Sequence, residues 1–397
     1  MRLTSEEHAL LAGQAGYAAK KAMEILWALG RIYHAEDLVP VRSVQIAGVS
    51  FHNLGEAGLE WLERMAQDGH VRTLATLNPA GMDLEDWQRQ GISEKFAREQ
   101  LRLIRAYTSM GIAPTCTCTP YLVGNLPAPG EHVAWSESSA VAFANSVLGA
   151  RTNREGGPSA LAAALAGRTP RYGLHLDQHR VPTLGVEVTS RLESPADWGA
   201  LGYLVGKRGG GRVALLRVPS AGEVTELKSL SAAVVTFGGS PLFYLEGLGP
   251  TPPGPALIEQ SISIGAEDLR QAYAALDDGA DEVDMVCLGC PHASLGELSE
   301  LAAELDGKRL RAELWICTAR VTKRAAAELG LVERIEASGA KVVSDTCFAV
   351  APLERPGATI ATDSFKGSYY GRGHNRLRVH LGSRERCVAA AETGRWR

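Results

Sequence analysis

The sequence predicts an α/β protein built as layered αβα subdomains with mostly parallel sheets. Short runs rich in Val, Ile and Leu alternate with longer stretches of helical periodicity along most of the chain, which is the pattern of strand–helix–strand units. The 43 glycines suit the many tight turns such units need, because glycine takes backbone angles closed to other residues. At 397 residues the chain exceeds one typical core, which points to more than one subdomain.

Composition removes several function classes. With 45% hydrophobic and 22% charged residues, a net charge of −4 and no long Lys/Arg run, nothing favours nucleic acid as a partner. No apolar run approaches the ~18 residues of a spanning helix. The start, MRLTSEEHALLAG, reads as a capped helix and not as a signal peptide, so a cytoplasmic location is expected. Seven cysteines in so long a chain without a leader do not read as a disulfide framework.

The elements follow in order. Thr4 or Ser5 caps a predicted helix running to about Leu29, with Glu6 and Glu7 near its positive end. Strands are predicted over 44–49 and 71–76, with a helix over 55–67 between them. Helices over 84–90 and 94–110 lead to an extended segment over 112–118, and a small-residue helix is predicted over 141–150. Another strand is expected over 183–188. Lys207-Arg208-Gly209-Gly210-Gly211 is the clearest flexible break and a candidate boundary. It divides an N-terminal α/β region, 1–208, from a C-terminal one, 212–397. In the second region apolar runs at 213–216, 232–236, 282–286, 313–316, 342–343 and 358–361 alternate with helices over 267–276, 294–305 and 319–329.

Chemistry-bearing residues concentrate in the stretch 115–157, which gathers thiols, hydroxyls, carboxylates and guanidinium groups beside one small helix. Cys290 and Cys347 each fall just past an apolar run, and Cys118 ends an extended segment before Pro120. Ligands in open α/β sheets bind at the carboxyl ends of strands, so these thiols from distant parts of the chain have a common edge on which to meet. Free cysteine is more often core than ligand, and Cys287, Cys317 and Cys387 read as packing. Cys116 and Cys118 alternate onto one strand face, so spacing does not choose between them. The pair Cys287-x-x-Cys290 lacks the second Cys/His pair of a zinc site.

The motifs TCTCTPYLVGNLPAPGEHVAWSESSAVAFANSVLGARTNREGGPSA, RYGLHLDQHR, CLGCPHAS, SDTCFAV and TDSFKGSYYGRG resemble the catalytic (large) component of the aconitase X family, from the first helix to about Arg372. The resemblance implies an aconitase-like catalytic core in which three cysteines hold an iron–sulfur cluster, 4Fe-4S, that serves a dehydration. Carried over by motif, they are Cys118 (CTPY), Cys290 (GCPH) and Cys347 (DTC). Three thiolates leave one iron without a protein ligand, open to substrate. Two activities are implied. One is dehydration of (R)-5-phosphomevalonate to trans-anhydromevalonate 5-phosphate in isoprenoid biosynthesis, and the other is that of cis-3-hydroxy-L-proline dehydratase. The sequence stops at Arg397 without the swivelling domain of resembling proteins; that unfused form and the SFHNLGEAG stretch incline toward the first. The resemblance also implies a small swivelling-domain subunit as partner. That subunit is expected to carry the general base, so no catalytic residue is assigned here.

A small anionic hydroxy-acid substrate requires cations and hydroxyls. Lys366, after the last motif's strand, is the first candidate for a phosphate or carboxylate contact, with Arg151 and Arg154 as alternatives. Ser136 and Ser138 at a helix start offer hydroxyls and N–H groups, or serve only as a cap. Gly48, Val49 and Ser50 end the first strand, and Asn78 and Pro79 the second, where backbone can approach a ligand. His175, His179 and His292 read more readily as loop or core residues than as bases. The reading from a different class is a non-catalytic, metal-stabilised α/β binding subunit.

Overall fold

Three lobes follow one another along the chain, each built around a parallel sheet. The computed structural model describes residues 1–397 except 280, 354 and 356. The first lobe comprises α1 (Ser5–Leu11), α2 (Tyr17–Ile32), β1 (Leu38–Pro40), β2 (Ser43–Ile46), α3 (Phe51–Met65), β3 (Leu74–Leu77), α4 (Glu94–Ser109), β4 (Ala134–Trp135), α5 (Ser138–Ser146), α6 (Gly157–Ala166) and β5 (Arg168–Pro170). β2 lies between β3 and β4, parallel to both, while β1 and β5 pair antiparallel. The second holds β6 (Leu184–Val188), α7 (Pro195–Gly209), β7 (Ala214–Arg217), α8 (Val224–Gly238), β8 (Phe243–Leu245), β9 (Gln260–Ile264) and α9 (Ala266–Ala274). Its parallel strands run in the order β8-β7-β6-β9.

The third lobe contains β10 (Met285–Ala293), α10 (Leu295–Glu304), β11 (Glu313–Thr318), α11 (Arg320–Glu328), α12 (Leu331–Ala337), β12 (Lys341–Ser344), β13 (Thr359–Thr362), α13 (Phe365–Asn375), β14 (Arg378–Leu381) and α14 (Arg384–Thr393). Its five strands, ordered β12-β11-β10-β13-β14, are all parallel. The α/β class with mostly parallel sheets is therefore as the sequence predicts.

Local chemistry explains the element ends. Thr4 and Glu7 form a reciprocal capping box that starts α1, and Ser194 and Asp197 do the same for α7. The single first helix predicted to Leu29 is instead two, because Gly13 and Gly16 take φ of +85° and +97° and turn the chain between α1 and α2. The run 232–236, predicted as a strand, lies inside α8. That helix packs against α7 and α5, and its residues 230–235 are buried one after another, so this stretch loses the helical alternation of apolar and polar positions. Gly209–Gly211, read as a domain break, form the turn from α7 into β7, and β6 and β7 are neighbours in one sheet. The extended segment over 112–118 is not a strand: only Ala113 makes a β-bridge, to Thr76.

Candidate active site

The carboxyl ends of β2, β3 and β4 in the first lobe face those of β10, β12 and β13 in the third. Contacts across this edge are buried and directional. Thr117 Oγ1 lies 3.0 Å from His292 Nδ1, and His292 Nε2 lies 3.0 Å from the Thr346 carbonyl. The carbonyl must accept, so Nε2 carries the proton and Nδ1 accepts from Thr117. The Ala80 N–H donates to the Asp345 carbonyl at 2.7 Å. Arg320 Nη2 donates to Asp83 at 2.6 Å and Arg320 Nε to Asp345 at 2.8 Å. Desolvation opposes the Asp83 charge, but the Asp86 and Ser344 N–H groups and Arg320 hold its pKa down at about 2. Asp345, more desolvated, is pushed up to about 6 despite Arg320.

Across this edge the cysteines sort themselves. Cys116 takes a positive φ of 42°, which breaks the alternation that would have put it on one face with Cys118. It packs into the first lobe's core. Cys118 instead accepts the His292 N–H at 3.2 Å. It lies within electrostatic reach of Lys366, Glu137 and Cys290, and Cys347 within reach of Cys290, Cys317 and Cys118. Burial pushes the Cys118 thiol up to about 12, offset in part by the Lys366 ammonium, and burial likewise raises Cys290 and Cys347. Cys287 and Cys317 are buried within β10 and β11, and Cys387 within the core under α14.

Lys366, in the first turn of α13, is buried and paired with Glu137, the residue that caps α5. Its Nζ also donates to Ser139 Oγ at 3.2 Å. Asn78 Nδ2 donates to Glu137 Oε2 at 2.7 Å, and Gln45 Nε2 to Asn78 Oδ1 at 3.3 Å. Burial alone would raise the Glu137 carboxyl; the Lys366 charge, with Asn78 and Ser139, holds it at about 2. Burial works against the Lys366 charge too, yet Glu137 and the neighbouring thiols raise its pKa well above the usual value. Glu137 and Gln45 were not picked out from the sequence; a Glu at a helix start carries no pattern that separates it from an ordinary cap.

The other candidates scatter around this centre. Gly48 has φ +80°, Val49 gives its carbonyl to Gln100 Nε2 at 2.8 Å, and Pro79 is buried. Ser50 is buried with no partner for its Oγ among the described residues, and a Cβ on Gly81 would come within 2.6 Å of that oxygen. Ser136 Oγ donates to the Gly156 carbonyl at 3.3 Å, and Ser138 Oγ approaches Glu137 at 3.4 Å. Arg151 lies elsewhere: it is bridged to His132 at the amino end of β4, pairs with Asp177 and donates to the His175 carbonyl at 3.2 Å. Arg154 is exposed and bridged to Trp135. Glu155, next in the chain, is buried and bonded to Ser159 and Thr169.

A cavity of about 220 Å³ reaches Cys290 from the side of α7, α8, α10 and α14. Its walls carry Glu223, Glu226, Glu297, Glu300, Asp363 and Glu385 against Lys228 and Arg384. Such a lining repels an anion, so the Lys366 side of Cys290 is the better place for an anionic substrate.

Soft sulfur donors are the ligand type that an iron–sulfur centre would take. Among the described residues no three His, Cys, Asp or Glu side chains gather round a single point as one metal ion would need. Thiolates on a cluster bind different irons and so stand further apart, and soft sulfur donors suit iron–sulfur centres.

Comparison with known proteins agrees along the whole chain. Family models described as the aconitase X first, second and third domains match residues 1–178, 182–274 and 283–393. The phosphomevalonate dehydratase large subunit of Methanothermobacter thermautotrophicus is 46% identical over 372 residues, covering 93% of each chain. The cis-3-hydroxy-L-proline dehydratase of Pseudomonas aeruginosa is 36% identical, over 99% of this chain and 70% of that enzyme. A crystal structure of Thermococcus kodakaraensis aconitase X in its holo-form superposes with a TM-score of 0.91 at 43% identity, covering 98% of this chain and 100% of that one. Matched by three consecutive domain models and by close relatives over nearly its full length, this chain belongs to the aconitase X family.

Proposed function

We propose that the chain is the large subunit of an iron–sulfur hydro-lyase that dehydrates (R)-5-phosphomevalonate to trans-anhydromevalonate 5-phosphate in isoprenoid biosynthesis by a modified mevalonate route. The observation that carries this reading is the meeting of Cys118, Cys290 and Lys366 in one buried crevice, in a chain 46% identical to a phosphomevalonate dehydratase large subunit. Cys118, Cys290 and Cys347 are the residues proposed to hold the cluster, which would supply a Lewis acid for the departing hydroxyl.

The chain's own groups bind, orient and exclude. Lys366 holds an ammonium beside the thiols, and the buried wall around Tyr121 and Phe348 keeps water from them. His292 is a poor base, since both ring nitrogens are engaged and burial drops its pKa to about 4. Glu137 is saturated by donors and stays ionised. Neither is free to take the substrate's proton, so the base comes from a small swivelling-domain subunit that closes the crevice. The name of the Methanothermobacter relative, a large subunit, supports such a partner.

Dehydration of cis-3-hydroxy-L-proline is the second reading, supported by the Pseudomonas relative at lower identity. Iron and acid-labile sulfide analysis of anaerobically purified protein separates a hydro-lyase from a non-catalytic binding subunit. Stoichiometric iron and sulfide are expected, and their absence would leave the binding-subunit reading.

A further inference from the structure

His292 stands where the segments carrying Cys118, Cys290 and Cys347 meet, and each of its polar groups has a partner in another part of the chain. It is fully buried in β10, two residues past Cys290. Its N–H donates to Cys118 Sγ at 3.2 Å. Nδ1 accepts from Thr117 Oγ1 at 3.0 Å, one residue before Cys118. Nε2 donates to the Thr346 carbonyl at 3.0 Å, one residue before Cys347. The His292 carbonyl accepts from Lys228 Nζ at 2.9 Å, and that buried lysine of α8 is also paired with Glu297 at 2.6 Å. The second lobe thus reaches the thiol segments through this residue.

The ring suits the junction for a chemical reason. The Thr117 hydroxyl takes the Thr119 N–H at 3.2 Å and lies 3.1 Å from Thr119 Oγ1. With Thr119 donating, the proton of Thr117 is directed at Nδ1. A neutral imidazole accepts on one edge and donates on the other, so it joins a hydroxyl to a carbonyl. A carboxylate only accepts and an ammonium only donates, so neither would serve both sides.

What the ring fixes is the main-chain N–H beside Cys118. An N–H aimed at a thiolate draws charge from it, and hydrogen bonds to the sulfurs help to set the potential of an iron–sulfur centre. A ring set loose would carry that N–H away from the sulfur.

Resting on the reading that Cys118, Cys290 and Cys347 hold a cluster, we propose that His292 is a positioning residue for it. Its ring ties the Cys118 and Cys347 loops to β10 and so aims its own main-chain N–H at the Cys118 sulfur, which makes the cluster more electron-poor.

Variants separate the bonds of the ring from its bulk. His292→Phe keeps a ring without nitrogens, Thr117→Val removes the hydroxyl that faces Nδ1, and Thr117→Ser retains it. Thermal melting checks folding, and should His292→Phe not fold, the two Thr117 variants carry the comparison. The midpoint potential of the assembled, cluster-loaded enzyme is read by redox titration followed by electron paramagnetic resonance. His292→Phe and Thr117→Val are expected to move it to more negative values, while Thr117→Ser keeps that of the wild type. In the cluster-free chain, alkylation of Cys118 by iodoacetamide is read by peptide mass spectrometry. It is expected to be roughly tenfold faster in His292→Phe and Thr117→Val, the worth of about one hydrogen bond, and unchanged in Thr117→Ser. An unmoved potential in His292→Phe and Thr117→Val, whatever the melting temperature or the labelling, would leave the ring a packing element and overturn the proposal. Thr117→Ser behaving as Thr117→Val would overturn it too, because the hydroxyl would then not be what holds the ring. A wild-type protein without iron and sulfide would count against the cluster reading itself, and the labelling of Cys118 would still decide whether His292 positions that loop.

Discussion

Lys366 and Glu137, 229 positions apart in the chain, form a buried ion pair that joins the first turn of α13 to the cap of α5. It ties the first lobe to the third at the place where Cys118 meets Cys290. Removing one partner leaves the other charge buried and unpaired. Lys366→Met is expected to cost about 3–5 kcal/mol of stability, and Glu137→Gln in the same chain should restore most of it. Urea unfolding of the two single variants and the double measures this. Equal losses in single and double variants would mean that the pair does not hold the lobes together.

Activity should follow the same residue. Lys366→Ala is expected to lower kcat/KM by roughly 1.5–3 kcal/mol of lost charged hydrogen bonding. Steady-state kinetics of the assembled enzyme test it, and values equal to the parent would remove Lys366 from the substrate site.

Single Cys→Ser variants at five of the seven thiols should fall into two groups. Serine at Cys118, Cys290 or Cys347 is expected to abolish the brown absorbance and the bound iron, while at Cys317 or Cys387 it should leave both. Iron analysis beside the visible spectrum makes the comparison. A Cys290→Ser protein with full iron would break the assignment.

Cys347 lies just past β12, where parallel sheets place their ligand loops, as its apolar run suggested; Cys290 lies instead inside β10, and Cys118 follows a segment that is not a strand. The choice of Cys118 over Cys116 was not legible from spacing, since it turns on one left-handed backbone at Cys116. Glu137 was invisible for another reason: its meaning depends on Lys366, and nothing local in either segment announces the other. Arg151 misled because a guanidinium in a polar turn looks the same whether it faces a substrate or, as here, Asp177. The helix α8 was missed over 232–235, where four consecutive small or apolar residues are all buried.

Acid should destabilise the fold earlier than its carboxylates alone would. Burial, with His132 and two arginines nearby, drops His175 from 6.5 to about 3. The unfolded chain therefore binds a proton below about pH 6.5 that the folded chain refuses until about pH 3, so stability is full above 6.5 and declines between those values. About 2 kcal/mol should be gone by pH 5. Melting temperatures from pH 7.5 to 5 test this, and His175→Gln should flatten the slope. An unchanged slope would mean that His175 does not set it.

Arg320 links Asp83 of the first lobe to Asp345, two residues before Cys347. Arg320→Met is expected to lower iron retention although no proposed ligand is changed, because the Cys347 loop loses its anchor. Iron per chain after gel filtration measures it, and undiminished iron would show that the loop holds itself.

The central claim is the elimination of water from 5-phosphomevalonate by this chain together with a small partner. The direct measurement is product formation under anaerobic conditions by the co-expressed pair, with the 397-residue chain alone and cis-3-hydroxy-L-proline as controls. The account predicts trans-anhydromevalonate 5-phosphate from the pair, none from the chain alone, and no turnover of the proline. Full-rate turnover of either substrate by the isolated chain, or conversion of the proline alone by the pair, would contradict it.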